Sequence, residues 1–252
     1  MSEEIVVISD VHGCIDELDE LLKIISYNKS KMRLIFVGDL VDRGPDSIGV
    51  VRRVQELGAE CVLGNHEDKH IRWRKHENIK KVTGKPNPMN KISRDKRHIN
   101  DQLTDDDIDW MRSFPIFIDL GCGLYVVHGG CVPGIPFSEQ RISNLLRARY
   151  INEDGNPVSL TSDKKQPPNT EYWAKLWRGP ESIIYGHNVN SESGPRIDTH
   201  ETSICFGIDT GCCFGGNLTA MIIHTNRGNY PDKVIEFASV MANEIYYNRR
   251  RG

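Results

Sequence analysis

Residues 36 to 47 read FVGDLVDRGPDS: an apolar run ends at Gly38, and Asp39, Asp42, Arg43 and Asp46 follow within the next eight positions. Carboxylates so close together can collect divalent cations, and a guanidinium among them can meet phosphate. Four more stretches have the same character: SDVHG at 9 to 13, GNHED at 64 to 68, VVHGG at 126 to 130 and IYGHN at 184 to 188. They place Asp10, His12, Asn65, His66, His128 and His187 just beyond apolar runs. One histidine at a strand end is more often a hydrogen-bonded structural residue than a ligand. Five strand ends repeating the pattern are not explained that way, and the mixed oxygen and nitrogen set predicts a binuclear metal site. Gly13, Gly38, Gly64, Gly129 and Gly186 sit beside these residues, where crowded turns would exclude a Cβ.

Positioning such groups requires elements that end together. EIVVIS (4 to 9), RLIFVG (33 to 38) and ECVLG (60 to 64) are short β-rich runs, while residues 15 to 27 and 46 to 57 carry apolar residues at helical spacing. This β-α-β-α-β order predicts a parallel sheet with crossover helices, whose carboxyl ends are the usual place for ligands. Asp46, just ahead of an apolar helical run, reads as an N-cap or first-turn acid.

Residues 65 to 77 continue as a helix, after which the periodicity dissolves toward residue 100. Between 72 and 98 there are ten lysines and arginines against Glu77 and Asp95. A solvated loop accounts for most such runs, but the position of this one, right after GNHED, also suits a substrate-facing flap at about 78 to 100. TDDDIDWMRSF (104 to 114) reads as a capped helix. Strands are expected at 116 to 120, 123 to 130, 182 to 188, 203 to 211 and 217 to 225, forming a second sheet stacked on the first. Residues 132 to 180 read as a helical or irregular insertion.

The 252 residues suffice for one large α/β domain spanning 1 to 252. The net charge of -3 does not mark a nucleic-acid binder, and no apolar run approaches a membrane span. The seven cysteines, without paired CxxC spacing, read as reduced thiols in a cytoplasmic protein. The tail NRRRG reads as solvated, and adjacent Cys212 and Cys213 as small buried thiols rather than a bridge.

In this order, SDVHG, GDLVDRG, GNHE, HGG and YGHN resemble the signature blocks of the calcineurin-like metallophosphoesterases, phosphoprotein phosphatase branch, over residues 8 to about 220. The resemblance implies two stacked mixed β-sheets flanked by helices, an α/β/β/α sandwich. It implies that Asp10, His12 and Asp39 bind a first divalent ion and that Asp39, Asn65, His128 and His187 bind a second, with Asp39 bridging. Mixed nitrogen and oxygen donors do not fix the metal; Mn²⁺ is the expected ion, with Fe, Zn²⁺ or Ni²⁺ as alternatives. The ions would activate a shared water for in-line attack on phosphorus with no covalent intermediate. His66 resembles the family's general acid, oriented and favoured in its charged form by Asp42, and Arg43 resembles its phosphate clamp.

GIDTGCCFGGNLTAM (207 to 221), YWAKLWRGPESIIYGHN (172 to 188) and LLRARYINEDGNP (145 to 157) are similar to symmetrical diadenosine tetraphosphatases, their PrpE-type relatives and the phosphatase module of bacterial polynucleotide kinase-phosphatases. Arg147 and Arg149 would then add charge for a polyphosphate, with Asn65 also touching substrate. VDRG, GNHE and HGG match protein serine/threonine phosphatases instead. The expected partner is a phosphorylated small molecule of the dinucleoside polyphosphate class. A phosphoprotein is the alternative, a nucleic-acid end a further one, and no membrane partner is expected. A scaffold that had lost catalysis would lack ligands, yet every one is present.

Overall fold

A computed structural model describes residues 4 to 89, 92 to 121, 123 to 163, 165 to 189, 191, 193 to 224 and 235 to 248. Cys122 and residues 249 to 252 of the basic tail lie outside the described residues; the other six cysteines are free and buried. No described helix is long and apolar enough to cross a membrane.

The first strands form where the short β-rich runs were expected. β1 (Glu4–Ile8) pairs in parallel with β2 (Met32–Phe36), and β2 with β3 (Glu60–Cys61). The crossovers are α1 (Ile15–Ile24) and α2 (Ser47–Leu57). Asp46 caps α2 as expected, its carboxylate accepting the Gly49 amide at 2.7 Å, and Gly58 ends the helix at φ 60°.

The region expected to be irregular is helical. α3 (Asn65–Thr83) runs past residue 77 until Gly84 stops it at φ 71°. α4 (Arg94–Gln102) then occupies the stretch expected as a flap, its first turn capped by the Ser93 hydroxyl. These helices lack an apolar stripe: lysine and arginine dominate both, and their buried positions are polar, His66, Glu67 and His70 in α3 and Asn100 in α4. α5 (Asp105–Arg112) opens on a capping box between Thr104 and Asp107.

The remaining elements are β4 (Phe117–Asp119), β5 (Leu124–Val127), α6 (Ile142–Arg147), β6 (Tyr150–Asn152), β7 (Pro157–Val158), β8 (Thr170–Tyr172), α7 (Trp173–Leu176), β9 (Ser182–Tyr185), β10 (Arg196–Thr199), β11 (Ile204–Gly207), β12 (Asn217–His224) and β13 (Ile235–Met241). One sheet has the order β13-β12-β1-β2-β3 and a second the order β10-β11-β9-β5-β4. Two expectations are corrected here. β12 returns to the first sheet, antiparallel to β1 with Val6 opposite Ile222, covering the free edge of a strand buried on both faces. The insertion at 132 to 180 contains a three-stranded antiparallel sheet, β7-β6-β8.

Alternation sorts the apolar residues into three layers. Val6 and Ile8 of β1 pack against Leu18 and Leu21 of α1 and Val50 and Val54 of α2. Ile5 and Val7 face the other way, toward Leu124 and Val126 of β5 and Ile184 of β9. On the far side of the second sheet, Ile183 and Tyr185 pack with Leu145 of α6 and Trp173 and Trp177 at α7. The α/β/β/α sandwich is therefore present, and β1, β2, β3, β5 and β9 all deliver their following loops to one rim.

Candidate active site

Asp10 and His12 lie between β1 and α1; Asp39, Asp42 and Arg43 lie between β2 and α2; Asn65 and His66 open α3; His128 follows β5 and His187 follows β9. The loops are held in uncommon conformations. Of the seven described non-glycine residues with positive φ, five are His12, Asp39, Asp42, Arg43 and His187. Such backbones cost of order 1–3 kcal/mol each and persist only where the surroundings fix them, as at functional sites. Glu67 does part of the fixing: its buried carboxylate accepts the amides of Asp39 (2.9 Å), Leu40 (2.8 Å) and Val41 (3.3 Å). Gly64 and Gly186 leave no room for a Cβ, which would fall on the Asp39 amide and on the Asp10 carboxylate respectively.

The imidazoles are aimed. His12 Nδ1 donates to the Val41 carbonyl and His128 Nδ1 to that of Val37, both at 2.8 Å, so each ring turns Nε2 inward. His128 Nε2 lies 3.3 Å from Asp39 Oδ1 and 3.2 Å from Asn65 Oδ1. His187 Nε2 is buried with no hydrogen-bond partner. Ligand atoms of Asp39, His128 and His187 lie within 4.8 Å of one another, and so do those of His12, Asp39 and His66. Asp10 stands beside them, its two oxygens accepting the His187 amide at 3.1 and 3.0 Å.

Electrostatics make the case for cations. Asp10, Asp39 and Asp209 are 2%, 1% and 6% exposed, three carboxylates that repel one another in a dry site. Burial, then Asp209, raises Asp10 well above the ordinary carboxylate range, and burial raises Asp209 as well. Burial also opposes ionisation of Asp39, but His128, His66 and His12 around it hold its pKa well below the usual value. Burial pulls the His128 imidazole down; Asp39's charge and hydrogen bond, with Asp10 behind, lift it to about 9. Burial drives His187 well below 6.5, with Arg149 adding to the effect, and burial with Arg43 does the same to His12. The neutral rings of His12 and His187 beside the ionised Asp39 fit divalent ions, whose charge would also favour ionised Asp10 and Asp209 and a deprotonated His128; the donor set excludes none of the first-row candidates.

Around this centre, His66 Nδ1 donates to Asp42 Oδ2 at 2.5 Å and His70 Nε2 to Asp42 Oδ1 at 2.9 Å. Burial opposes the Asp42 charge, yet these two hydrogen bonds hold its pKa far below the ordinary range. Asp42 pulls His66 toward the charged form as the sequence suggested. Burial outweighs it and, with Arg43 and Lys96 nearby, brings His66 down to about 4. Arg43 places Nη1 2.7 Å from His12 Nε2 and Nη2 3.1 Å from His66 Nε2, with its guanidinium over the rings of Phe214 and Tyr247. Arg149 faces the same side, bonded to Asn188 Oδ1 at 3.1 Å and the His187 carbonyl at 3.3 Å. Arg147 pairs with Asp68 on α3.

Sequence reading overlooked Asp209, Glu67, His70, Lys96, Phe214 and Tyr247. Asp209 carried a readable signal, an acid two residues beyond a strand, and His70 another, one helical turn after His66. Glu67 stood inside the GNHE block without a role of its own, while Lys96 and Tyr247 had no signal, because their partners are distant in sequence.

Residues 4–207 match the family model of the calcineurin-like phosphoesterases. The chain is 28% identical over 253 residues to the asymmetrical bis(5'-nucleosyl)-tetraphosphatase PrpE of Oceanobacillus iheyensis, covering 95% of this chain and 93% of that protein. It is 29% identical to the symmetrical bis(5'-nucleosyl)-tetraphosphatase of Pectobacterium atrosepticum, covering 85% and 89%. A crystal structure described as a candidate diadenosine tetraphosphatase superposes with a TM-score of 0.71 at 27% identity, covering 96% of this chain and 95% of that one. With the fold, the strand-end loops and the matched model all agreeing, the chain belongs to the calcineurin-like phosphoesterase family, and it is a phosphate-ester hydrolase.

Proposed function

We propose that this enzyme hydrolyses dinucleoside polyphosphates or closely related nucleotides, with Mn²⁺ as the preferred ion. The similarity to tetraphosphatases of both the symmetrical and asymmetrical kind supports the class of substrate. The observation that carries the reading is Arg149, drawn in beside His187 as a second guanidinium in addition to Arg43. Two forks at one rim suit a substrate with several phosphates, and each can grip phosphate oxygens in bidentate fashion.

Asp10, His12 and Asp39 would hold one ion, and Asp39, Asn65, His128 and His187 the other. When bound, the two ions lower the pKa of a water and neutralise phosphate charge. The chain's own residues do the rest. Arg43, stacked on Phe214 and Tyr247, is stiffened for clamping the phosphate under attack, and Arg149 takes the neighbouring phosphate. As the P–O bond breaks and its electron pair moves to the departing oxygen, His66 supplies the proton from Nε2. Asp42 keeps the ring in position through Nδ1. A histidine pulled down to about 4 holds a proton only when the phosphate dianion is near, and then gives it up readily.

The test is kcat/KM for diadenosine tetraphosphate, a phosphoserine peptide and a 3′-phosphorylated oligonucleotide with one metal. The dinucleotide should lead by orders of magnitude, since a site that pairs buried polar groups with substrate strongly disfavours analogues that leave them unpaired. A lead for the peptide would reassign the enzyme to protein substrates.

A further inference from the structure

The basic stretch finds a purpose in α4. Asp42, 1% exposed, receives the ammonium of Lys96 on Oδ2, the oxygen that also accepts from His66 Nδ1. Lys96 Nζ stands 3.0 Å from that same Nδ1. On the other oxygen, His70 Nε2 donates to Oδ1, and His70 Nδ1 accepts in turn from Asn100 Nδ2 at 3.0 Å. Asn100 is fully buried, and its Oδ1 accepts from Arg74 Nε at 3.0 Å. Lys96 and Asn100 are four residues apart, so a single face of α4 serves both oxygens of one buried carboxylate.

We infer that α4 is part of the proton-donating apparatus, with Lys96 as the positioning residue that holds the Asp42 carboxylate paired and in place behind His66. The inference rests on His66 being the proton donor. Asp42 is buried between two histidines, and neither is a permanent cation. Once His66 has passed its proton to the departing oxygen, its ring no longer balances the carboxylate, and a buried unpaired charge is unfavourable. Lys96 is the counter-ion that persists through that step. Its side chain is 21% exposed and its partner 1%, so this pair is not a solvent-screened surface contact of the kind that contributes little. The lysine lies on the Nδ1 side of the ring, opposite the Nε2 that meets Arg43, and therefore acts through Asp42 and His66 rather than on substrate.

A residue with this role affects esters according to how much their departing oxygen needs a proton. Single-turnover rates with 2,4-dinitrophenyl, 4-nitrophenyl and phenyl phosphate read that dependence directly. Lys96→Met should slow phenyl phosphate about 30-fold and 2,4-dinitrophenyl phosphate less than about 3-fold, within the range general acids contribute. Lys96→Arg should restore most of the phenyl phosphate rate. Equal losses on all three esters, or no loss on any, would overturn the inference, and Lys96→Gln read in the same way decides the matter if the methionine variant does not fold. Should His66→Asn keep the phenyl phosphate rate, the assignment of the donor fails first; a slow His66→Asn beside an unaffected Lys96→Met removes only the role of Lys96.

Discussion

His66 joins the site by two nitrogens with separate duties, Nδ1 on Asp42 and Nε2 toward Arg43 and the candidate ions. His66→Asn keeps a polar side chain of similar reach but cannot deliver a proton. Turnover of phenyl phosphate should fall by about 10²–10⁴-fold while metal content, read by atomic emission, stays at the wild-type level. The same residue leaves a mark on stability. Its folded pKa is near 4 and its unfolded value is 6.5, so between them the unfolded chain alone takes up the proton. Acidifying the metal-free protein through that window should destabilise wild type relative to His66→Asn by on the order of 3 kcal/mol, seen in urea melts. A difference that stays flat from pH 6.5 to 4 would mean the imidazole is not desolvated in the fold.

Elements place these residues because the loops after the strands are short and overdetermined. Gly186, between β9 and His187, lets the Asp10 carboxylate and Val37 approach the backbone of the second sheet. Gly186→Ala puts a methyl group where the carboxylate sits, so Asp10 must move while the strands stay paired. The variant should fold, with circular dichroism like the parent, yet hold fewer than the parent's complement of Mn²⁺ after dialysis. Full retention of metal would show that Asp10 does not contribute a ligand. At the rim, α3 and α4 were predicted as a short helix and a loose flap because they lack an apolar stripe, the one feature from which helices are read with ease. Their order comes instead from polar partners such as Arg74 with Asn100 and Lys96 with Asp42.

Across the whole molecule, the candidate ligands divide between two sheets. Asp10, His12, Asp39 and Asn65 follow strands of one sheet, and His128 and His187 follow strands of the other. Ions bound by both sets would join the layers that the Ile5, Val7, Leu124 and Ile184 contact already holds. Mn²⁺ at about 100 times its Kd should therefore add roughly 2.7 kcal/mol of stability for each ion bound, raising Tm, and chelator should reverse it. A Tm indifferent to Mn²⁺ would contradict ligation by the folded chain.

The β-rich runs, the helical crossovers and the strand-end motifs were legible in the linear chain, since each depends on residues within a few positions of one another. That locality is why Asp46 could be named as a cap, whereas the grouping of Asp39, Asn65 and His128 around one ion was implied only by the resemblance to the phosphoesterase family. Which sheet β12 would join, the antiparallel trio inside the insertion, the pairing of Arg149 with His187 and Asn188 and of Arg147 with Asp68, and the grip of α4 on Asp42 depend on partners far apart in sequence. Only packing decided those, because the pairing of backbone edges and the neutralising of buried charge are satisfied by whatever the completed fold brings within reach.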